Sequence, residues 1–297
     1  MRRAIIVAGL GVLVTLAGCS AVRLGYNQAP QLAMWWLDGY LDFDSTQSPR
    51  VREALQRWFA WHRATQLPEY AAMLSRVQAQ AAGPLTGSQV CGWAGEVRER
   101  LDPLSQQALP MVADLAPLVT AAQVARLEQR FARSNEKFRE DILKADAAER
   151  LKAQIERAVD RFENVYGRLD DAQRARVAAG VRASAGGPEQ WYADRLARQA
   201  EVLQTLRRLL DEKADRARAQ ALLGQVFDRM QGASRWDTRG KPPAAMAAQC
   251  EWIAEVHNAT TPAQRQRARE RLRGWEQDFR ALASQAAPAV QAATSVR

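Results

Sequence analysis

The stretch Leu151-Lys-Ala-Gln-Ile155-Glu-Arg-Ala158-Val-Asp-Arg-Phe162-Glu-Asn-Val165-Tyr-Gly-Arg-Leu169 decides the fold class. Its apolar residues step by three or four, which winds them into one helical stripe that must face other helices. Between them, Glu156, Arg157, Asp160 and Arg161 form opposite-charge neighbours suited to a solvated face. Each such pair adds only about 0.2–0.5 kcal/mol, so core packing rather than salt bridging would hold the structure. The same rhythm runs through Ala268, Leu272, Trp275, Phe279 and Leu282. It also runs through Val124, Leu127, Phe131, Phe138 and Ile142, where polar Ser134 interrupts it. No stretch alternates as a half-buried strand would. The chain reads as an all-α helical bundle.

Breakers divide the helices. Gly83-Pro84, Gly186-Gly187-Pro188 and the segment 232–243 read as loops. The last, with Trp236 inside, is the longest and the best candidate for a functional loop. Four helix starts share one chemistry: Asp44-Ser-Thr-Gln47, Thr120-Ala-Ala-Gln123, Asp170-Asp-Ala-Gln173 and Thr261-Pro-Ala-Gln264. A Thr or Asp cap accepts a free backbone N–H while the Gln three residues on bonds back, which makes a capping box. Pro262 suits a first helical position. Pro49 weakens the first copy, and Ser48 capping with Pro49 at the first position is the alternative start.

Two segments match without a gap. Pro84, Cys91, Trp93, Glu96 and Val97 correspond to Pro243, Cys250, Trp252, Glu255 and Val256. At another offset, Gln123, Arg126, Arg130, Phe138 and Arg139 correspond to Gln264, Arg267, Arg271, Phe279 and Arg280. The expectation is a bundle of two tandem, diverged helical repeats, 40–145 and 146–285, the second enlarged by a connecting helix. Residues 286–297 are expected to be a flexible tail. Cys91 and Cys250 are expected to pair near a pseudo-two-fold axis between the halves.

The N-terminus gives an address. Met1-Arg2-Arg3 is followed by an uncharged run from Ala4 to Leu16 and by Leu16-Ala17-Gly18-Cys19. A basic start, an apolar run and small residues before a cut site make a signal peptide, here 1–18. The run is shorter than the ~20 residues a membrane span needs. Leu-Ala-Gly-Cys resembles the lipobox of bacterial lipoproteins, which implies acylation of Cys19 and cleavage before it. Residues 19–39 would then be the lipidated N-terminus and tether. Ser20, where Asp would retain a lipoprotein in the inner membrane, implies the periplasmic face of the outer membrane. An oxidising compartment suits a Cys91–Cys250 disulfide.

Without Arg2 and Arg3 the chain keeps an excess of seven basic side chains, nearly all arginine. Only five lysines occur: Lys137, Lys144, Lys152, Lys213 and Lys241. In such a compartment this charge would meet lipid head groups or acidic proteins and not nucleic acid. The expected partners are the membrane, through the anchor, and either an envelope protein or an unfolded client.

Two resemblances bear on this. Val119-Thr120-Ala-Ala-Gln123 and Leu169-Asp170-Asp-Ala-Gln173 resemble the Leu-Thr-x-x-Gln signature of the Spy and CpxP type of periplasmic helical proteins. That likeness implies a chaperone-like or stress-regulatory binder, although four motifs in one chain depart from that family's two. More broadly, Tyr26-Asn27, Trp35-Trp36-Leu37-Asp38, Tyr40, Leu41-Asp42 and Leu67-Pro68-Glu69-Tyr70 resemble an uncharacterised family of Gram-negative lipoproteins. Membership there implies no activity.

Trp35, Trp36, Trp58 and Trp61 belong to the densest aromatic group in the chain and would form either core or a groove for an apolar segment or acyl chain. Two Cys and two His (His62, His257) match a zinc set in number but lack its close ligand pairs. Cys250, His257 and Asn258 name the parts of a thiol protease, yet a disulfide would consume the nucleophile. Glu96 and Glu255 could act as acid and base if they met near the axis. No phosphate loop, Ser–His–Asp arrangement or nucleotide motif occurs. The expectation is a non-catalytic binding protein with no metal and no cofactor. A structural or assembly lipoprotein with one partner is the alternative, and an enzyme on wall or lipid substrates comes last.

Overall fold

The computed structural model describes residues 20–144, 146–184, 187–232 and 242–285. Within them the chain is all-α: α1 (Ala21–Leu41), α2 (Gln47–Gln80), α3 (Gly87–Glu99), α4 (Leu101–Leu115), α5 (Ala121–Phe138), α6 (Ala147–Tyr166), α7 (Asp171–Ala183), α8 (Pro188–Asp211), α9 (Arg216–Gly232), α10 (Ala244–Asn258) and α11 (Pro262–Ser284). A 3-10 turn, Ala116–Leu118, joins α4 to α5, and a π-helical turn, Arg139–Leu143, follows α5.

α2 is the mast of the bundle. Its 34 residues rise about 50 Å at 1.5 Å each. α1, α4 and α11 pack along it. α11 runs antiparallel to it, with Gln78 donating to Glu276 (2.6 Å) and Arg63 reaching Gln285 (3.1 Å). Elsewhere α3 packs on α10, α4 on α9, α5 on α8 and α6 on α7.

The apolar interior is divided into separate patches. One joins Ala113, Leu209, Leu222 and Leu223 across α4, α8 and α9. A second holds Val124, Leu127 and Leu203 between α5 and α8. A third gathers Val159, Leu169, Val177 and Val256, with Trp252 against it. A fourth surrounds Cys91 and Cys250.

All four anticipated capping motifs are built, and a fifth that the sequence reading passed over, Thr86 with Gln89, begins α3. At the first copy the Ser48 alternative gives way. Asp44 Oδ1 accepts the N–H groups of Thr46 (2.7 Å) and Gln47 (2.9 Å), and Gln47 Oε1 accepts that of Asp44 (3.1 Å). Pro49 falls at the third helical position, within the first turn, where proline is tolerated.

The four glutamines do more than cap. Gln47 and Gln123 exchange amide hydrogen bonds (3.1 and 2.6 Å), as do Gln173 and Gln264 (2.8 and 2.9 Å). The second proton of each amide goes to a carbonyl two residues ahead of the partner's cap. Gln47 donates to Leu118 (2.5 Å), Gln123 to Asp42 (3.3 Å), Gln173 to Ala259 (2.9 Å) and Gln264 to Arg168 (2.9 Å). Each amide therefore spends both donors and accepts twice. That is the condition under which Gln47, 3 % exposed, can be buried without penalty.

Three expectations change or fall elsewhere. The described part of the expected 19–39 tether is not extended: from Ala21 it is helical, capped by Ser20 and packed on α2, α5 and α11. Arg23 pairs with Asp278 at 3.1 Å, and Met34 is buried. The Pro30-interrupted sequence hid this helix because its exposed face carries Asn and Gln instead of charge. Most of the 232–243 loop and the 286–297 tail lie outside the described residues, as do the signal segment and Cys19.

Candidate functional site

Between α1, α2 and α4 lies an apolar cavity of about 310 Å³, walled by Leu37, Val51, Trp58, Phe59, Met111 and Val112 among others. A second cavity of about 440 Å³ adjoins it, with Leu37, Val51, Val112 and Leu115 lining both. Its further walls come from Trp36, Tyr40, Phe131, Val202 and Leu206. The two make one groove of the size that holds small ligands, roughly 300–1,000 Å³. It exists because two core patches, that of α4, α8 and α9 and that of α5 and α8, approach without merging. Leu127 and Leu223, from one patch each, both face the gap.

The four tryptophans singled out by sequence divide. Trp36 and Trp58 line the groove. Trp36 sits at its mouth, half-exposed, 4.8 Å from the Tyr40 ring. Trp58 donates its Nε1–H to the Leu104 carbonyl (3.3 Å), which satisfies the indole and leaves its ring as wall. Trp61 packs against Trp58 and His62 and is no part of the lining. Trp35 is 72 % exposed and lines neither cavity.

One end of the groove is polar, and sequence reasoning missed it. Among the described residues Arg195 is the only charged one in the lining. Its Nε donates to Asn135 Oδ1 (2.8 Å), its Nη2 to Ser134 Oγ (2.7 Å), and its guanidinium lies 5.5 Å from the Trp191 ring centroid. Asn135, buried, donates its remaining amide to Gln199 (2.7 Å), a second lining residue. The interruption of the α5 stripe at Ser134 was the available signal: a polar pair on a buried helix face needs a polar partner, and Arg195 is it.

The lining contains no His, Cys, Ser, Asp or Glu. Its chemistry is that of an apolar trough with one fixed cation and two amides, Gln47 and Gln199. Among the described residues no group of three or more His, Cys, Asp and Glu converges.

The other candidates serve the fold. Cys91 and Cys250 stand at disulfide distance, Sγ–Sγ 2.11 Å and Cα–Cα 5.4 Å, and staple α3 to α10. Asn258 clamps Leu85, accepting its N–H and donating to its carbonyl (both 2.8 Å). His257 is fully buried. Its Nε2 faces the Gly83 carbonyl at 2.9 Å and must carry the proton, so Nδ1 accepts from the Tyr166 hydroxyl (2.9 Å). Burial lowers the His257 pKa and pushes that of Tyr166 up to about 12. His62 and Tyr26 form a similar contact at 2.7 Å, and burial likewise depresses the ring and raises the phenol to about 12. Glu96 and Glu255 are not brought together. α3 and α10 run antiparallel through the bridge, as the contact of Leu85 with Asn258 requires. The two carboxylates thus lie roughly 15 Å apart along the pair, five residues to either side at 1.5 Å per residue. Glu96 pairs with Arg76 instead.

No single described helix is long and apolar enough to cross a membrane. No curated protein and no solved structure matches the chain. Residues 39–224, which supply most of the groove wall and Arg195, match the model of a family of unknown function, DUF6279. That stretch exceeds half the chain, and the protein belongs to this family.

Proposed function

We propose that the protein is a lipid-anchored component of the outer-membrane periplasmic face that acts by binding, holding an apolar part of another envelope molecule in the groove beside α1. The observation that carries this reading is the groove itself: an open apolar trough walled by Trp36 and Trp58 that the side chains of the described residues leave unfilled. A shaped trough with one fixed cation favours a defined ligand over a spread of unfolded clients.

The anchoring part rests on sequence and on α1. Ser20 caps α1 directly after the lipobox cysteine, so acyl chains on Cys19 would start the helix at the bilayer surface. Every exposed position of α1 is uncharged, and Leu24, Leu32, Trp35 and Trp36 are among them. Such a face suits the membrane interface, where Trp is favoured. The excess of arginine would steer anionic partners.

We also infer that the chain arose from two copies of one helical unit. The support is the pair of glutamine clasps, in which the same four atoms meet the same backbone positions twice, and the antiparallel crossing of α3 and α10 at the matched cysteines.

Photo-crosslinking in intact cells tests the binding role. A crosslinking residue at Val112, on the groove rim, should give one dominant adduct, and one at exposed Arg182 should not. Equal adducts from both positions, or none from Val112, would overturn the reading. Labelled palmitate incorporated into the wild type and lost on Cys19→Ser tests the anchor separately.

A further inference from the structure

We propose that the groove ligand is a long-chain fatty acid, its carboxylate held by Arg195 and its acyl chain lying in the apolar trough. This rests on the reading of the groove as a binding site and names what fills it.

The cation is the starting point. No carboxylate among the described residues pairs with Arg195, whereas Arg207 and Arg208 on the same helix each pair with one. Its position is fixed, not floppy. Asn135 and Ser134 take the Nε and one Nη2 proton, and Trp191 lies against its flat face. Asn135 is in turn fixed by Gln199. Three neutral groups thus aim a guanidinium without cancelling its charge. Two Nη1 protons and one on Nη2 are left over, which is the edge that grips a planar carboxylate with two parallel bonds. A phosphomonoester would call for a second cation, and none lines the groove.

The apolar body follows from the walls. From the Arg195 end the trough passes Phe131, Tyr40 and Leu206, then continues past Val112 to Phe59. It spans about 12 Å along α1 from Ala33 to Leu41, and about 16 Å along α8 from Arg195 to Leu206, at 1.5 Å per residue. The 310 Å³ compartment is lined by apolar side chains alone. A trough with one charged end and one dry end fits an amphiphile with one chain and one negative charge. An apolar peptide would leave its backbone groups unpaired in the dry end.

The full chain in lipid nanodiscs, exposed to a fatty acid carrying a terminal diazirine, gives the test. Photolysis and peptide mapping should place the label on α2 or α4 around Val51–Phe59 or Met111–Leu115. A fatty alcohol with the same tail serves as the neutral probe. The acid should label at least tenfold more strongly than the alcohol, the ratio expected when a charge-assisted hydrogen bond is lost. Arg195→Gln should abolish that preference, and Arg195→Lys should keep part of it. Val112→Trp, which fills the trough from its rim, should remove both labels while leaving the helical circular dichroism intact. Equal labelling by acid and alcohol, unchanged in Arg195→Gln, would overturn the fatty-acid assignment and leave the groove as a neutral binding site. A diazirine phospholipid labelling the trough in preference to the acid would also overturn it. Absence of any label in the trough would overturn this inference and the binding reading together.

Discussion

Replacing Gln47 by Leu keeps most of the side-chain bulk and removes four hydrogen bonds at once: one from Asp44 N–H, two shared with Gln123 and one to the Leu118 carbonyl. They are not equal in cost. Asp44 is exposed, so water replaces the lost acceptor at its N–H. The Gln123 amide and the Leu118 carbonyl are left in a site that is almost closed to water. With about 1 kcal/mol for each neutral bond and about 1–3 kcal/mol for a stranded buried partner, the loss should be about 2–4 kcal/mol. Gln89→Leu is the contrast, because Gln89 serves only the exposed cap at Thr86 and its loss should cost no more than about 1 kcal/mol. The decisive measurement is a double-mutant cycle by urea unfolding. Gln47→Leu with Gln123→Leu removes both amides and strands neither. Its cost should fall short of the summed singles by about 1–2 kcal/mol. Strict additivity, or a Gln47→Leu cost equal to that of Gln89→Leu, would refute the mutual clasp.

Four further outcomes are expected. The Cys91–Cys250 bridge spans 159 residues, and a loop that long contributes up to about 5 kcal/mol in the chain-entropy model; Cys91→Ser with Cys250→Ser should lower the unfolding midpoint sharply, and added reductant should then change nothing more. At Gly180 a Cβ would come within 2.1 Å of Trp252 Cδ1, so Gly180→Ala should cost about 1–3 kcal/mol and alter tryptophan fluorescence. Gly92→Ala, with open space around it in α3, should instead stabilise by up to about 1 kcal/mol. Burial holds His62 and His257 below the ordinary imidazole range, so the unfolded chain takes up protons first as pH falls past about 6.5. Their contribution is whole above that pH and is lost below it, and His62→Gln should flatten the decline in stability between pH 7 and 5. The depressed carboxylates, Asp44, Glu212 and Glu276, give way only at lower pH.

Helical class, cap positions and the cysteine pair were legible because each is a local or low-order pattern. Period, cap chemistry and a count of two cysteines besides Cys19 suffice for them. α1 was not legible, since a face of Asn27, Gln28 and Gln31 gives no charge contrast for amphipathicity to register. The groove was half legible. Aromatic density drew attention to Trp36 and Trp58, but no sequence rule separates them from Trp35 and Trp61, one or three residues away. Only the register in which α1 and α2 meet α4 decides which ring faces the gap. Arg195 lay beyond reach for the same reason. Its partners, Ser134 and Asn135, are about 60 residues away, and nothing local distinguishes it from the arginines around it.

The clasp and the groove are one problem in packing. An unfilled trough between two apolar patches forfeits the dispersion contacts that merging them would supply, so the patches should close on each other unless something holds them apart. Gln47 lines the groove and is also half of the clasp that fixes the start of α2 against that of α5. Beside it, the 3-10 turn contributes Ala116 and Leu118 to the lining, and Leu118 O is the very carbonyl that Gln47 holds. At the other end Asn135 ties α5 to α8 through Gln199 and Arg195. Polar ties therefore bound the apolar gap at both ends, and being directional they set a spacing that hydrophobic contact alone would not. A chain that needed only stability would have filled the space with larger side chains at Val51 and Val112. Keeping it open, with saturated amides as its spacers, is what the proposed binding of an apolar occupant would require.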